Sequence, residues 1–578
     1  MTTGTVRRVN GPLVEADGLT GAAMAELVEI GARRLPAEVV SMRTDASGHG
    51  GGTVTLQAYE YTGGVCPGDP VRALGRPISA LLGPGLLGGV FDGLLRPLVG
   101  AGVWLEPGAS RADGSRSWPF DPAVRAGQQV FPGTLLGTVG DGGPVRHKVL
   151  VPTGVSGQVQ WIADRGGYRA DTPVVRVDGS DIAMAHWWPV RRPRPYRERQ
   201  VVPTPLRTGQ RVLDALHPIV KGGTAAVPGG FGTGKTMLLQ QVAKWCDADV
   251  IVYVGCGERG NEMADVVAEF DRLTDPRTGG RLAERTVVVA NTSNMPIMAR
   301  EASIYTGVTV AEYFRDMGHD ALVIADSTSR WAEAVREFAS RAGALPAEEG
   351  YPAGLASALA AFYERAARVS TLSGSEGSVS IIGAVSPPGG DMTEPVTAGT
   401  QRFVRSLWML DRDLAYARHY PAVAWSGSYS RDADAVGAWY ARHGDPGWAA
   451  RRARMAAVLA EADRLADLAE LVGVGALPGH ERMVMLAGRL LREGVLQQSA
   501  LSPHDAYCPP DRSAALIDAV FDVLTAGEER VASGVPATVV EELDFSPLLR
   551  ARDDTAQDDL AGIRARRDAV LTNVRELT

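Results

Sequence analysis

A glycine-rich stretch at residues 227–236 limits the folds open to this chain more than any other feature. It reads Val-Pro-Gly-Gly-Phe-Gly-Thr-Gly-Lys-Thr and contains the G-x-x-x-x-G-K-T spacing of a phosphate-binding loop. Small and β-branched residues precede it, and a helix-forming run follows at 237–245. This order predicts a strand, a loop and a helix, with backbone N–H groups turned toward bound phosphate. The stretch therefore predicts a nucleotide-binding α/β domain.

The residue types in this loop match the parts of a magnesium nucleotide. Lys235 is expected to reach the β- and γ-phosphates, and the Thr236 hydroxyl is expected to ligate Mg²⁺. A glycine-rich turn that matches by chance is the alternative, and the flanking strand and helix patterns argue against it. We therefore expect ATP or ADP and Mg²⁺ as cofactors. The other loop residues expected to contact the nucleotide are Gly229, Gly230, Phe231, Gly232, Thr233 and Gly234.

Two carboxylates follow apolar runs that predict parallel strands. Glu258 comes shortly after the run 250–254, and Asp326 directly follows the run 321–325. Ligands of open α/β sheets bind at the carboxyl ends of the strands, so both residues are candidates for the site. Glu258 is a candidate to orient the attacking water, and Asp326 is a candidate for the second acid of the magnesium site. The alternatives are a solvated helix start for Glu258 and a strand-end cap for Asp326.

Three further charged residues lie close to these carboxylates in the sequence. Arg259 is a candidate to stabilise charge on the γ-phosphate, and Glu262 is a candidate to hold magnesium-bound water. Arg330 follows Asp326 within the same string. It is expected either to point at the nucleotide or to pair with a carboxylate.

Composition restricts the partners and the compartment. The 578 residues carry a net charge of −8, which argues against a nucleic-acid-binding surface. The four cysteines show no C-x-x-C spacing, which fits a reducing compartment. The start of the chain lacks the apolar core of a signal peptide, and prolines and charges interrupt the most apolar stretch, 81–98. These features predict a cytoplasmic protein that does not bind nucleic acid.

Changes of pattern along the chain predict a multidomain protein. Short alternating runs between turn residues predict a small β-barrel or β-sandwich at 1–72, of which we expect the N-terminal β-barrel, followed by a connector at 73–109. A second β-rich stretch at 110–188 predicts an inserted β module. Alternating strand and helix patterns predict a central α/β P-loop NTPase (RecA-like) domain at 189–435. Apolar residues at helical spacing predict a C-terminal α-helical domain at 436–578.

Several long and uncommon strings point to one family. The chain resembles, from end to end, the catalytic A subunit of V/A-type rotary ATPases. Its β-rich stretch at 110–188 is similar to the module that distinguishes this subunit from its F-type counterpart. The strings that carry the resemblance lie at 83–97, 255–263, 291–296, 300–305, 325–333, 349–352 and 383–391.

The resemblance implies the roles given above for the loop and for the residues at the strand ends. It also implies that Tyr420 and Tyr507 sandwich the adenine, a task that suits aromatic rings, with ordinary core packing as the alternative. The chain departs from the family at two loop positions. Gly230 stands where the family usually has proline, which predicts a more flexible loop. Thr233 stands where vacuolar relatives often carry cysteine, so no thiol switch is expected there.

The resemblance further implies an assembly. A non-catalytic B-type homologue would alternate with this chain in an A3B3 hexamer and contribute an arginine to the site. Central shaft subunits would contact the C-terminal helices, and a peripheral stalk would bind the inserted module or the N-terminal domain. The implied function is ATP hydrolysis or synthesis coupled to rotation and to proton or sodium translocation. The chain would lie on the cytoplasmic face of a membrane that it contacts only indirectly. The alternatives are a ring-shaped RNA helicase, a protein-export ATPase and a non-catalytic ring subunit.

Overall fold

The computed structural model describes most of the chain, and its residues divide into two compact units. The described residues are 2–43, 52–100, 105, 116–140 and 143–577. The first unit consists of residues 1–201, 248–383 and 393–400, and the second consists of residues 202–247, 384–392 and 401–578. The phosphate loop thus belongs to the second unit, whereas Glu258 and Asp326 belong to the first.

The N-terminal residues of the first unit form a closed β-barrel, as predicted. Its strands are β1 Thr3–Asn10, β2 Leu13–Asp17, β3 Glu26–Ile30, β4 Leu35–Arg43, β5 Thr53–Ala58 and β6 Pro70–Pro77. Their order around the barrel is β1-β2-β5-β4-β3-β6. Side chains alternate between the inside and the outside, so Val14, Val28 and Leu56 are fully buried. Closure leaves this sheet without an open edge.

A β module with a core of its own follows in the first unit. Two short strands precede it, β7 Ser79–Leu82 and β8 Val90–Phe91. The strands that follow them are β9 Ser117–Pro122, β10 Gln129–Val130, β11 Leu135–Val139, β12 His147–Leu150, β13 Gly157–Ile162, β14 Gly166–Arg169, β15 Pro173–Val177, β16 Ser180–Ala183 and β17 His186–Pro189. The sheets β10-β13-β15-β16 and β12-β11-β9-β14 enclose Val130, Leu136 and Val174, while β17 pairs with β7. The predicted start of the module at residue 110 lies outside the described residues. The other domain boundaries stay predictions.

Strands and helices alternate through the central part of the chain, as predicted. These elements are β18 Glu198–Arg199, β19 Pro205–Leu206, α1 Arg211–Leu216, β20 Ile219–Val220, β21 Thr224–Pro228, α2 Lys235–Trp245, β22 Val250–Cys256, α3 Gly260–Arg272, β23 Thr286–Asn291, α4 Ile297–Asp316, β24 Asp320–Asp326, α5 Thr328–Arg341, α6 Leu355–Tyr363, β25 Ala367–Ser370, β26 Glu376–Val385, α7 Pro395–Phe403, β27 Ser406–Leu407, α8 Arg412–Tyr416 and β28 Tyr429–Ser430. The parallel strands of the first unit run in the order β26-β24-β22-β23-β8. In the second unit β21 pairs in parallel with β27. All residues of β22 are buried, as expected for a strand covered on both faces.

The C-terminal part of the second unit is helical, as predicted. Its helices are α9 Ala433–Arg442, α10 Trp448–Val472, α11 Gly479–Leu491, α12 Pro510–Ala532, α13 Ala537–Glu541, α14 Ser546–Leu549, α15 Ala551–Asp554 and α16 Leu560–Arg575. In α10 the residues Met455, Leu459, Ala462 and Leu465 are buried. This spacing places them on one face of the helix, which packs on the rest of the bundle.

Polar side chains connect the β module with α4 and with the segment that follows the module in the first unit. The Tyr313 hydroxyl of α4 lies 3.0 Å from Nε2 of His147. Nε2 of His186 lies 3.1 Å from the guanidinium of Arg194. Burial, followed by the charges of Arg194 and His147, lowers the pKa of His186 to about 3, so this imidazole is neutral at pH 7. The module is therefore held by specific polar contacts as well as by its chain connections.

Candidate nucleotide-binding and catalytic site

The phosphate loop lies in the second unit between β21 and α2, in the strand–loop–helix context that the sequence predicts. Gly232 and Gly234 both have φ of 81°, a left-handed backbone that favours glycine. A Cβ on Gly229 would lie 2.8 Å from the Thr233 hydroxyl oxygen and 2.9 Å from Cβ of Leu410. The backbone therefore requires glycine at these positions. Its form, followed by the first turn of α2, is that of a phosphate-binding cradle.

Lys235 is the first residue of α2, and its ammonium group lies among oxygen atoms of the same unit. Nζ donates to the hydroxyl of Ser386 and lies 3.4 Å from the carbonyl oxygen of Val385. Because β26 ends at Val385, the end of that strand brings Ser386 to the lysine. Sequence reasoning missed Ser386, and the only signal for it was its place in the string 383–391. These acceptors hold the lysine close to the loop.

The remaining side chains of the loop differ in exposure. Thr233 is 2% exposed, and its hydroxyl donates to the carbonyl of Gly230 at 2.9 Å, which closes the loop internally. Thr236 is exposed in the first turn of α2, so its hydroxyl is accessible to a cation. Phe231 is 94% exposed at the tip of the loop. The loop thus offers Thr236 and backbone N–H groups, rather than Thr233, to a ligand.

The two predicted adenine-binding tyrosines have different surroundings in the second unit. The nearest carbon atom of the Tyr420 ring lies 3.0 Å from the position of a Cβ on Gly234, and Tyr420 is 40% exposed. Tyr507 stacks on Trp245 with ring centroids 5.2 Å apart. One face of Tyr507 is therefore already covered, whereas Tyr420 presents an accessible ring beside the loop. The adenine sandwich stays a prediction.

Glu258 lies in the first unit, in the short loop between β22 and α3, and is partly buried. Backbone hydrogen bonds hold it on both sides. The N–H of Gly257 donates to the carbonyl of Asn291 at 2.7 Å, and the N–H of Ser293 donates to the carbonyl of Glu258 at 2.9 Å. Gly257 has φ of 75°, and a Cβ there would lie 2.7 Å from Cβ of Arg330. The turn that presents Glu258 thus depends on glycine.

Asp326 is the last residue of β24 and is 3% exposed. The hydroxyl of Tyr253 on the neighbouring strand β22 donates to its Oδ2 at 3.0 Å. Burial, followed by the charge of Asp326, raises the pKa of Tyr253 well above its usual value, so the tyrosine remains a donor. This bond orients the carboxylate at the carboxyl end of the strand.

Three charged side chains surround this end of the first unit. The guanidinium of Arg259 lies 3.9 Å from the carboxylate of Glu262, and both are well exposed. Arg330 donates to both carboxylate oxygens of Glu333 at 3.0 Å. That hydrogen bond raises the pKa of Arg330, and the nearby charges of Glu258 and Glu262 raise it further. Arg330 thus pairs with a carboxylate, and its contact with the nucleotide stays a prediction.

The oxygen donors fit magnesium. In the second unit Thr236 offers a hydroxyl, and in the first unit Asp326 and Glu262 offer carboxylates. Oxygen ligands of both kinds are hard ligands, which Mg²⁺ prefers. Within the described part of the chain, no group of three or more His, Cys, Asp or Glu side chains is arranged to hold a metal ion. Magnesium at nucleotide sites is ordinarily held by one or two carboxylates together with substrate phosphates. The absence of such a group among the described residues therefore does not argue against magnesium binding.

Family models match the chain in four consecutive segments. They are the beta-barrel domain of the ATP synthase alpha/beta family at 6–75, the ATP synthase alpha/beta subunit barrel-sandwich domain at 109–191, the nucleotide-binding domain of the ATP synthase alpha/beta family at 209–430, and the C-terminal domain of V and A type ATP synthase at 437–536. The last model is specific to the V and A types.

Curated relatives match almost the whole chain. The V-type ATP synthase alpha chain of Nitrosococcus oceani is 49% identical over 95% of this chain and 93% of its own length. That of an Anaeromyxobacter strain is 51% identical over 92% of both chains. The corresponding A subunit of the A-type ATP synthase of Staphylothermus marinus is 46% identical over 94% of this chain and 92% of its own. The chain belongs to the V/A-type ATP synthase alpha-chain family.

As a member of this family, the chain carries a nucleotide-binding domain that contains Lys235, Glu258, Asp326 and Tyr420, and a V/A-type C-terminal domain that contains Tyr507. Its fold is also similar to that of the assembled ATPase EscN from the type III secretion system of enteropathogenic E. coli. The TM-score is 0.64 with 21% identity, over 90% of this chain and all of that one. No helix in the described residues is long and apolar enough to span a membrane.

Proposed function

We propose that this V/A-type protein is the catalytic subunit of a rotary ATPase or ATP synthase. It couples hydrolysis or synthesis of ATP to rotation, and thereby to the movement of protons or sodium ions across a membrane. One observation carries the proposal: a chain of this family combines an intact phosphate loop ending in Lys235 with a carboxylate, Glu258, held at the end of a buried strand. A non-catalytic ring subunit would lack that combination.

The second unit supplies the phosphate-binding groups. The backbone N–H groups of the loop and the Lys235 ammonium bind the β- and γ-phosphates. To bind phosphate, the Lys235 ammonium exchanges the hydroxyl oxygen of Ser386 for a phosphate oxygen. Because each of these oxygens accepts a hydrogen bond, the change requires little more than a rotation of the lysine side chain. The Thr236 hydroxyl ligates magnesium. The rings of Tyr420 and Tyr507 sandwich the adenine.

The first unit supplies the groups that act on water and charge. Glu258 accepts a hydrogen bond from the attacking water and orients it toward the γ-phosphorus atom. Arg259 stabilises the charge that develops on the γ-phosphoryl group, and Arg330 adds positive potential when it leaves Glu333. Asp326, oriented by Tyr253, and Glu262 bind magnesium directly or through water. Magnesium, when bound, neutralises charge on the phosphate oxygens.

The assembly is part of the proposal. A B-type homologue alternates with this chain in an A3B3 ring and contributes an arginine across the interface. The end of α10 and the loop that follows it support a contact with the central shaft. They present the exposed apolar residues Leu471, Val472 and Val474, and exposed apolar clusters mark partner surfaces. The peripheral stalk binds the inserted module or the N-terminal barrel. The complex lies on the cytoplasmic face of the membrane, which this chain contacts only indirectly.

A comparison between the isolated chain and the assembled ring tests this proposal. An arginine supplied in trans is worth about 10³–10⁵-fold in rate in comparable phosphoryl-transfer systems. The isolated chain should therefore bind ATP but hydrolyse it slowly, and assembly with its native partners should raise the rate per site by orders of magnitude. An isolated chain as fast per site as the ring would mean that the site is complete without a partner. A protein-export ATPase, the alternative with the same fold, would not copurify with a membrane rotor.

A further inference from the structure

Arg300, in the first turn of α4, is a buried cation beside the turn that carries Glu258. It is only 9% exposed. Its Nη2 donates to the carbonyl of Ser293 at 2.9 Å. Its Cδ would lie 3.2 Å from a Cβ on Gly257, so the aliphatic part of the side chain packs against the residue that precedes Glu258. Arg300 thus contacts both segments that hold the Glu258 backbone.

Packing alone does not account for an arginine at this position. Nε of Arg300 is buried and makes no hydrogen bond within the part of the chain that the structure describes. A buried guanidinium with unused donors is costly, and an apolar side chain of similar volume is often at least as stable. The presence of a cation here is therefore better explained by its contact with the Ser293 carbonyl than by a contribution to stability.

The contact leads directly to Glu258. Ser293, whose carbonyl receives the bond from Arg300, donates its own N–H to the carbonyl of Glu258 at 2.9 Å. The N–H of Met295 donates to the carbonyl of Thr292 at 3.0 Å, so Ser293 occupies the second position of a β-turn. Arg300 therefore binds the carbonyl of Ser293 in this turn, and the N–H of the same residue binds the backbone of Glu258.

We propose that Arg300 is a positioning residue, which holds the turn at Ser293 so that the Glu258 carboxylate is correctly placed for the attacking water. The inference rests on the role proposed above for Glu258. Because the link passes through main-chain hydrogen bonds of the first unit, loss of the guanidinium displaces Glu258 without removing a group that contacts nucleotide. The rate of the chemical step then falls, while nucleotide binding is preserved.

The test uses the ATPase complex purified with its native partner subunits. Arg300→Met keeps the length of the stem and removes the donor, and Arg300→Lys keeps a donor for the Ser293 carbonyl. Arg272→Met, at the exposed end of α3, is the matched control. We expect kcat to fall at least tenfold in Arg300→Met, with partial rescue in Arg300→Lys. The KM for ATP and the Kd for ATP should stay within twofold, and Arg272→Met should match the parent.

A second pair of variants tests the same link without altering a buried charge. Ser293→Pro removes the N–H that donates to Glu258, at a turn position where proline is favoured, whereas Ser293→Ala keeps that N–H. The proline variant should lose kcat as Arg300→Met does, and the alanine variant should not. This pair also decides the question if Arg300→Met fails to fold.

Double variants separate this inference from the proposed function. In a Glu258→Gln background, Arg300→Met should cause no further loss of rate, because the group it positions has already been disabled. Two results would overturn the role of Arg300 while leaving that of Glu258 intact. One is an equal loss of rate on Arg300→Met in both backgrounds, and the other is a kcat within twofold of the parent in Arg300→Met and Ser293→Pro. If Glu258→Gln itself keeps the parental rate, the proposed role of Glu258 fails instead.

Discussion

Replacing Gly257 by alanine tests how strictly the Glu258 turn depends on its geometry. A non-glycine residue in the left-handed region costs about 1–2 kcal/mol. The new Cβ would also lie 2.7 Å from Cβ of Arg330 and 3.2 Å from Cδ of Arg300, and overpacking of this kind costs about 1–3 kcal/mol. A local strain of about 2–5 kcal/mol matches or exceeds the roughly 1–3 kcal/mol that the two flanking backbone hydrogen bonds contribute together. The turn should therefore shift, and Glu258 with it.

The assay is steady-state ATP hydrolysis by the assembled complex, with thermal unfolding measured in parallel. A displacement of about 1 Å at a catalytic group can cost about 10²-fold in rate, so Gly257→Ala should lose activity on that scale. Gly260→Ala is the matched control, because a Cβ at Gly260 has no atom within 4 Å and its φ is not left-handed. Parental activity and stability in Gly257→Ala would refute the reasoning.

Two further predictions concern the loop and the β module. Lys235→Ala should weaken ATP binding, measured by titration with a fluorescent nucleotide, and abolish turnover, since it removes the cation that the loop offers to the phosphates; unchanged affinity and rate would contradict the phosphate-loop assignment. Because the folded pKa of His186, about 3, lies below its unfolded value near 6.5, stability should fall as the pH decreases from about 6.5 toward 3. His186→Gln should weaken that acid dependence in thermal unfolding, and an unchanged profile would show that another group is responsible.

The fold could be predicted largely from local patterns. Strand β22 and residues 321–325 of β24 are apolar runs because both of their faces are covered. The glycine spacing of the phosphate loop is dictated by its backbone. The barrel follows from short alternating runs, and the C-terminal helices from periodic apolar residues such as those of α10. In each case a local physical requirement determines the pattern of residue types within one short segment of the sequence.

The contacts around the site could not be predicted in this way, because they join residues that are distant in sequence. Nothing near Lys235 indicates Ser386, and nothing near Glu258 indicates that Ser293 and Arg300 hold its backbone. Likewise, the stacking of Trp245 on Tyr507 depends on how the C-terminal helices pack within the second unit. Such pairings arise from tertiary packing, which a local pattern does not encode.

Glu258→Gln in the assembled complex tests the central claim most directly. The amide keeps the shape of the side chain but orients and polarises water poorly, and general-base action of this kind is worth about 10²–10⁴-fold. Glu364→Gln, an exposed glutamate of the same unit, is the control. The account predicts that the Glu258→Gln complex binds magnesium and ATP with parental affinity, hydrolyses ATP at least 10²-fold more slowly and stops rotating. Hydrolysis within a few-fold of the parent would show that the catalytic carboxylate lies elsewhere.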